Sequence, residues 1–235
     1  MPMCLKIQEN ALFVADSHYN ERRDEFLVFL EKLRDSSIQT TQLFLMGDMF
    51  DFISGESKYF IKRNQKVINL INSIAETVEI IYFEGNHDYN LNIIFPNVKV
   101  IKREIQPLYA TYNEKKVGLS HGDIFVNDKF YDLYCKVIRN SVLLKFLNLI
   151  DFNNSISKKI YYTLLDKKIC SKMTNFDKIV KRRVEHYDCE IVIEGHFHQG
   201  DEFQVNHKRY KNIPSLSCSQ EYTRLENNVF IGERL

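Results

Sequence analysis

No segment of this 235-residue chain approaches eighteen consecutive uncharged apolar residues, so a bilayer-crossing helix is not expected. Residues 1–6, Met-Pro-Met-Cys-Leu-Lys, lack the basic start and long apolar stretch of a secretion signal. The five cysteines (Cys4, Cys135, Cys170, Cys189, Cys218) are odd in number, widely spaced and never in a CxxC pair. Neither a disulfide framework nor a zinc knuckle is expected, and a reducing cytoplasm fits best. Internal repeats and low-complexity tracts are missing as well. Glycine and proline are absent from residues 127–183.

What is present suffices for a core. A hydrophobic content of 44% over this length fits one domain, or one domain with an inserted subdomain. The net charge is +1, yet residues 129–183 carry thirteen Lys/Arg against four Asp and no Glu, a surplus of nine positive charges. The rest of the chain therefore carries eight net negative charges. A basic segment beside an acidic remainder suits phosphates, nucleic acid or an anionic membrane surface; a solvated helical face is the plainer explanation.

Several short apolar runs end in polar clusters. Leu12 to Ala15 precede Asp16, Leu43 to Met46 precede Gly47 and Asp48, and Ile80 to Phe83 precede Glu84, Gly85 and Asn86. Val117 to Ser120 precede His121, and Ile191 to Ile193 precede Glu194, Gly195 and His196. Such runs predict buried strands with their chemistry at the carboxyl ends. Between the first strands, Phe26, Leu27, Phe29, Leu30 and Leu33 share one helical face, and Val67, Ile68, Ile71, Ile74 and Ala75 share another. Strand–helix–strand alternation makes the class α/β. Beyond Gly195, Phe203 to Val205 and Val229 to Ile231 suit antiparallel strands closing a second sheet.

Residues 127–183 interrupt this pattern and read as an inserted helical cap on a core formed by 1–126 and 184–235. Within it, Val142 to Ile150 is apolar except for Lys145 and Asn148, which share one narrow stripe of a helix. A buried core helix and an apolar groove for lipid or membrane both account for this composition.

Divalent metals that activate water at phosphorus need hard oxygen ligands mixed with imidazoles, and a carboxylate able to bridge ions about 3.5–4 Å apart. The strand ends supply that set: D-x-H at Asp16 and His18, G-D-x-x-D from Gly47 to Asp51, G-N-H-D from Gly85 to Asp88, then His121-Gly122, and G-H-x-H from Gly195 to His198. One piece alone occurs by chance; five in order do not. His186 and His207, outside the motifs, are assigned no role.

From Asp16 to His198 this ordered set resembles the calcineurin-like metallophosphoesterase family. The resemblance implies a four-layer α-β-β-α sandwich and two divalent ions. Asp16, His18 and His198 would bind one ion, Asn86, His121 and His196 the other, and Asp48 would bridge them. Asp51 would orient a ligand by hydrogen bond. His87 would contact the substrate phosphate or donate a proton, with Asp88 orienting it.

The insert, with Asp128-Lys129-Phe130-Tyr131 shortly after His121-Gly122-Asp123, looks like that of the UDP-2,3-diacylglucosamine hydrolases, which cleave a nucleotide–lipid pyrophosphate in lipid A synthesis. This implies a pyrophosphatase releasing UMP and 2,3-diacylglucosamine 1-phosphate (lipid X), a manganese enzyme peripheral to the inner membrane on its cytoplasmic side. Asp128 and Tyr131 are candidate substrate contacts by that resemblance, Arg139 and Lys172 by charge and approximate position, beside Asn86 and His87. Many members of that group carry arginine where this chain has His87, which keeps phosphomonoesters, phosphodiesters and nucleotides open as substrates. No aromatic platform for single strands accompanies the basic residues, so nucleic acid is not expected. No obligate protein partner is evident.

Overall fold

The structure, a computed structural model, describes residues 5–126 and 129–235. The chain opens with β1 (Leu5–Lys6), β2 (Ala11–Val14), α1 (Glu25–Arg34), β3 (Gln42–Leu45) and β4 (Ile53–Ser54). Next come α2 (Lys58–Arg63), α3 (Gln65–Ile74), β5 (Glu79–Phe83), β6 (Asp88–Tyr89), β7 (Lys99–Ile101), β8 (Leu108–Tyr112) and β9 (Lys115–Ser120). A helical stretch follows: α4 (Lys129–Ile138), α5 (Ser141–Ile150), α6 (Ser155–Leu165) and α7 (Phe176–Arg183). The end is β10 (Ile191–Glu194), β11 (Glu202–Val205), β12 (Lys208–Asn212), α8 (Leu216–Ser219), β13 (Glu221–Glu226) and β14 (Val229–Arg234).

Two six-stranded sheets result, ordered β14-β13-β2-β3-β5-β7 and β1-β8-β9-β10-β12-β11, while β4 and β6 form a separate pair. β2, β3, β5 and β7 are parallel, with α1 and α3 among the crossovers that parallel pairing requires. β9, β10 and β12 are parallel in the second sheet.

The period-two alternation of strand side chains explains the layers. Leu12, Val14, Leu43, Leu45, Ile80 and Tyr82 pack with Phe26, Phe29 and Leu30 of α1 and Val67, Ile68 and Ile71 of α3. The residues between them, Phe13, Phe44 and Ile81, join Val117, Leu119, Ile191 and Ile193 of the other sheet. Burial on both faces is why these strands read as continuous apolar runs. Each fully buried large side chain contributes roughly 1.5–3 kcal/mol to this packing. On the far side of the second sheet, Phe176 and Val180 of α7 pack with Val192 and Tyr210. The architecture is the four-layer α-β-β-α sandwich.

Several expectations are corrected. Val229 to Ile231 lies in β14, which pairs with β13 and extends the first sheet, not the second. Cys170 and Cys218 form a disulfide across 48 residues, tying the segment after α6 to α8. Their spacing gives no sign of this, because the partners meet only through tertiary structure.

Asn140 caps α5, its side chain accepting the Leu143 N–H at 3.0 Å. Of this helix only Leu144 is buried, whereas Val142 and Leu149 are each 76% exposed. A buried core helix is thereby excluded. α6 is held to α2 through Tyr161, which packs with Phe60 and accepts a 2.7 Å hydrogen bond from Arg63.

Candidate metal centre

The chemistry-bearing residues leave the carboxyl ends of parallel strands, where an open α/β sheet gathers its loops. Asp16 and His18 follow β2, Asp48 follows β3, Asn86 and His87 follow β5, His121 follows β9, and His196 and His198 follow β10. Asp16, His18, Asp48, His196 and His198 all adopt positive φ, from +43° to +67°. Side chains rarely accept that backbone, and it persists where surrounding structure enforces it. Gly47, at φ +93°, is required by space as well, since a Cβ there would lie 2.4 Å from His121 Nδ1.

These loops bring the candidate ligands together. Asp16, His18 and His198 form one cluster and Asp48, His121 and His196 another, the donor atoms in each lying within 4.8 Å of one another. His198 Nε2 lies 3.4 Å from Asp16 Oδ1. Asp48 stands between the clusters, Oδ1 3.6 Å from His121 Nε2 and Oδ2 4.0 Å from His18 Nε2. Asn86 Oδ1 is 3.3 Å from His121 Nε2. His87 joins a further cluster with His18 and Asp48.

Backbone carbonyls fix the imidazoles. His121 Nδ1 donates to Met46 O at 2.8 Å, His198 Nδ1 to Ile169 O at 2.9 Å, and His87 Nδ1 to Asp51 O at 2.5 Å. Each ring then turns its Nε2 away from that carbonyl, the arrangement that suits metal ligation and phosphate contact. Asp16 Oδ1 and His18 Nδ1 are buried with no hydrogen-bond partner among the described residues. An unsatisfied buried carboxylate oxygen is costly unless a cation completes it, so this donor set fits divalent metal.

The pattern matches the model of the calcineurin-like phosphoesterases over residues 10–200. The chain belongs to this family. Among curated proteins it is similar to the UDP-2,3-diacylglucosamine hydrolase of Wigglesworthia glossinidia brevipalpis, 25% identical over 87% of this chain and 85% of that one. It is also similar to the enzyme of that name from Haemophilus influenzae (strain Rd), 25% identical over 91% of this chain and 98% of the relative. Among solved structures, Yfce, a phosphoesterase from E. coli, aligns over 94% of this chain and 90% of its own at 14% identity and a TM-score of 0.49, too distant to bear on the site. As a member of this family the chain is a hydrolase acting on phosphate esters or anhydrides, with divalent metal as cofactor.

The phosphoesterase centre is electrostatically tense. Burial favours the neutral acid at Asp48, but His121, His87, His18 and His196 hold its carboxyl well below the usual range. Burial lowers the His18 imidazole well below its ordinary value and lowers His196 to about 4, with His121 adding to the shift at His196. Burial also opposes charge on His121, yet Asp48, Asp123, Asp16 and Asp88 outweigh it and raise that imidazole to about 9.

Asp88 is turned away from His87, the residue it is expected to orient. Its two oxygens accept from the N–H groups of Asp48, Met49 and Gly85 and from the Tyr82 hydroxyl, at 2.6–3.0 Å. It pins the β3 and β5 loops together. The Asp51 carboxylate is bonded to Arg23 and Asn20, and lies 3.6 Å from His18 Nδ1. Arg139 is buried, paired with Glu84 at 3.2 Å and donating to Gly85 O, so it anchors the turn after α4 to the β5 loop. Lys172 donates to Gln199 O at 2.7 Å, beside the His198 loop. The Tyr131 ring lies 5.8 Å from the Arg103 guanidinium, in the packing of α4. Asp128 falls outside the described residues.

Lys167 was missed by sequence reasoning. Its Nζ lies 3.2 Å from His87 Nε2. Nothing in the run Lys167-Lys168 distinguishes the one that reaches the centre. A cavity of about 340 Å3 opens beside it, where Asn86 and His87 meet an apolar wall including Phe52, Leu143, Leu144 and Leu147.

Proposed function

We propose that this protein hydrolyses the pyrophosphate of UDP-2,3-diacylglucosamine, giving UMP and 2,3-diacylglucosamine 1-phosphate. The observation that carries the reading is the apolar cavity of about 340 Å3 walled by α4, α5 and α6 and opening on Asn86 and His87. A phosphate at the centre would leave acyl chains within reach of that wall, and each buried methylene contributes about 0.8 kcal/mol. The named relatives support the same substrate.

In this reading Asp16, His18 and His198 would hold one ion, Asn86, His121 and His196 the other, with Asp48 shared between them. The ions, manganese in this proposal, supply charge neutralisation at the phosphoryl oxygens and activation of water. The chain's own residues then position the substrate. With its Nδ1–H committed to Asp51 O, His87 presents Nε2 toward the phosphate, and Lys167 adds a cation at the same place. Water attacks the α-phosphorus in line, and the bond to the bridging oxygen breaks as the sugar-lipid phosphate departs.

The helices α4 to α6 act in this proposal as the cap that holds the lipid. These helices and the turn between α5 and α6 expose Phe130, Leu133, Val142, Phe146, Leu149 and Phe152 within the basic part of the chain, which supports peripheral contact with an anionic bilayer. No helix among the described residues is long and apolar enough to cross a membrane. Incubating the manganese-loaded protein with UDP-2,3-diacylglucosamine in 18O-water tests the reaction. Label in UMP is expected; label only in the lipid phosphate, or no hydrolysis, would refute it.

A further inference from the structure

A second cavity, of about 320 Å3, meets the centre at His196 and Phe197. The apolar cavity meets it at Asn86 and His87. Asn86 and His196 both neighbour His121, the former at 3.3 Å from Nε2 and the latter with ring centroids 5.0 Å apart. Two cavities of different chemistry therefore adjoin one centre through different residues.

Among the described residues the second cavity's wall carries aromatic rings, two arginines and the aliphatic Val126 and Ile179, and no carboxylate. Phe125 stacks on His186, centroids 4.6 Å apart and planes 13° from parallel. Phe197 is braced by the Arg183 guanidinium, 4.9 Å from the ring centroid, while Arg183 itself is bound to Glu194 and Gly122 O. Arg182 also lines the cavity, exposed, and makes no hydrogen bond or ion pair among the described residues. Flat rings accept a base by stacking, and a free guanidinium donates to carbonyl oxygens such as those of uracil. The volume lies in the range of small-molecule sites, roughly 300–1,000 Å3.

We infer that this cavity receives the pyrimidine nucleoside half of the substrate, with Arg182 contacting the base. The scissile phosphorus then lies between a nucleoside held beside His196 and acyl chains held beyond His87. His186, to which the sequence assigns no role, becomes part of the stacking wall. The inference rests on the proposed function and specifies where that substrate's nucleotide end binds.

The test uses the manganese-loaded full chain, with UMP and inorganic phosphate as competing inhibitors of UDP-2,3-diacylglucosamine hydrolysis. Arg182→Ala is expected to raise the UMP inhibition constant about tenfold. Arg182→Glu should raise it further, while the constant for inorganic phosphate, which reaches only the centre, moves far less. Metal content and melting temperature report that both variants are folded. If UMP inhibits the wild-type protein and both variants leave its constant unchanged, the inference is overturned. If phosphate inhibition weakens as much as UMP inhibition, the cavity is a general anion site and the nucleoside assignment falls. A wild-type protein that hydrolyses no lipid nucleotide would instead refute the proposed function, and the inference with it.

Discussion

Arg139, in the turn after α4, holds a buried 3.2 Å ion pair with Glu84, two residues ahead of Asn86. It thereby ties the turn after α4 to the loop that carries Asn86 and His87. Removing one partner of a buried pair leaves a charge stranded, at a cost of about 3–5 kcal/mol. Arg139→Ala should lower stability by that order in denaturant titration, and adding Glu84→Gln should recover part of it. A single variant within about 1 kcal/mol of wild type would show that the pair is not a structural anchor.

Asp48 offers one oxygen toward His121 and the other toward His18. Asp48→Ala should lose both metal and turnover. Metal analysis after gel filtration, paired with an activity assay, checks this. Two tightly bound ions and full activity in the variant would disprove the bridge.

His87 presents Nε2 to the substrate side while its other nitrogen is held by Asp51 O. His87→Ala should lower kcat by about 10²–10⁴-fold, as loss of a proton-transferring group does, with metal content largely kept. Lys167→Ala should mainly raise KM, because an exposed cation contributes to binding a phosphate. Equal loss of metal and turnover in His87→Ala would make it a ligand instead.

The layers and the centre were legible in the sequence for one reason. Apolar runs such as Leu12 to Ala15 and Ile80 to Phe83 are local signals, and each carries a candidate ligand at its own end. Contacts made between distant segments left no such trace. Asp88 looks like a partner for its neighbour His87, but a chain reversal turns its carboxylate toward four donors around the β3 and β5 loops. Arg139 reads as a free cation on a basic helix until Glu84, fifty-five residues away, is placed against it. The strand at Val229 to Ile231 has the right pattern for either sheet, and only its pairing with β13 decides between them.

The Cys170–Cys218 disulfide likewise joins remote segments, and it tethers the stretch whose Ile169 carbonyl holds His198. Alkylation of the denatured, unreduced protein should leave these two cysteines unmodified, as peptide mass mapping would show. By chain entropy, closing a loop of this length contributes about 4 kcal/mol, so Cys218→Ser should lower the melting temperature under non-reducing conditions. Free thiols at both positions in the purified protein would refute the pairing.

In the proposed function the apolar cavity beside His87 binds the acyl chains of a nucleotide-lipid. The most direct measurement compares kcat/KM for UDP-2,3-diacylglucosamine with that for the same UDP-sugar lacking both chains. At about 0.8 kcal/mol per buried methylene, even four methylenes amount to a factor above about 100, so the diacylated substrate should be preferred by at least that ratio. Equal kcat/KM for the two would contradict the claim and leave a phosphoesterase that does not read lipid.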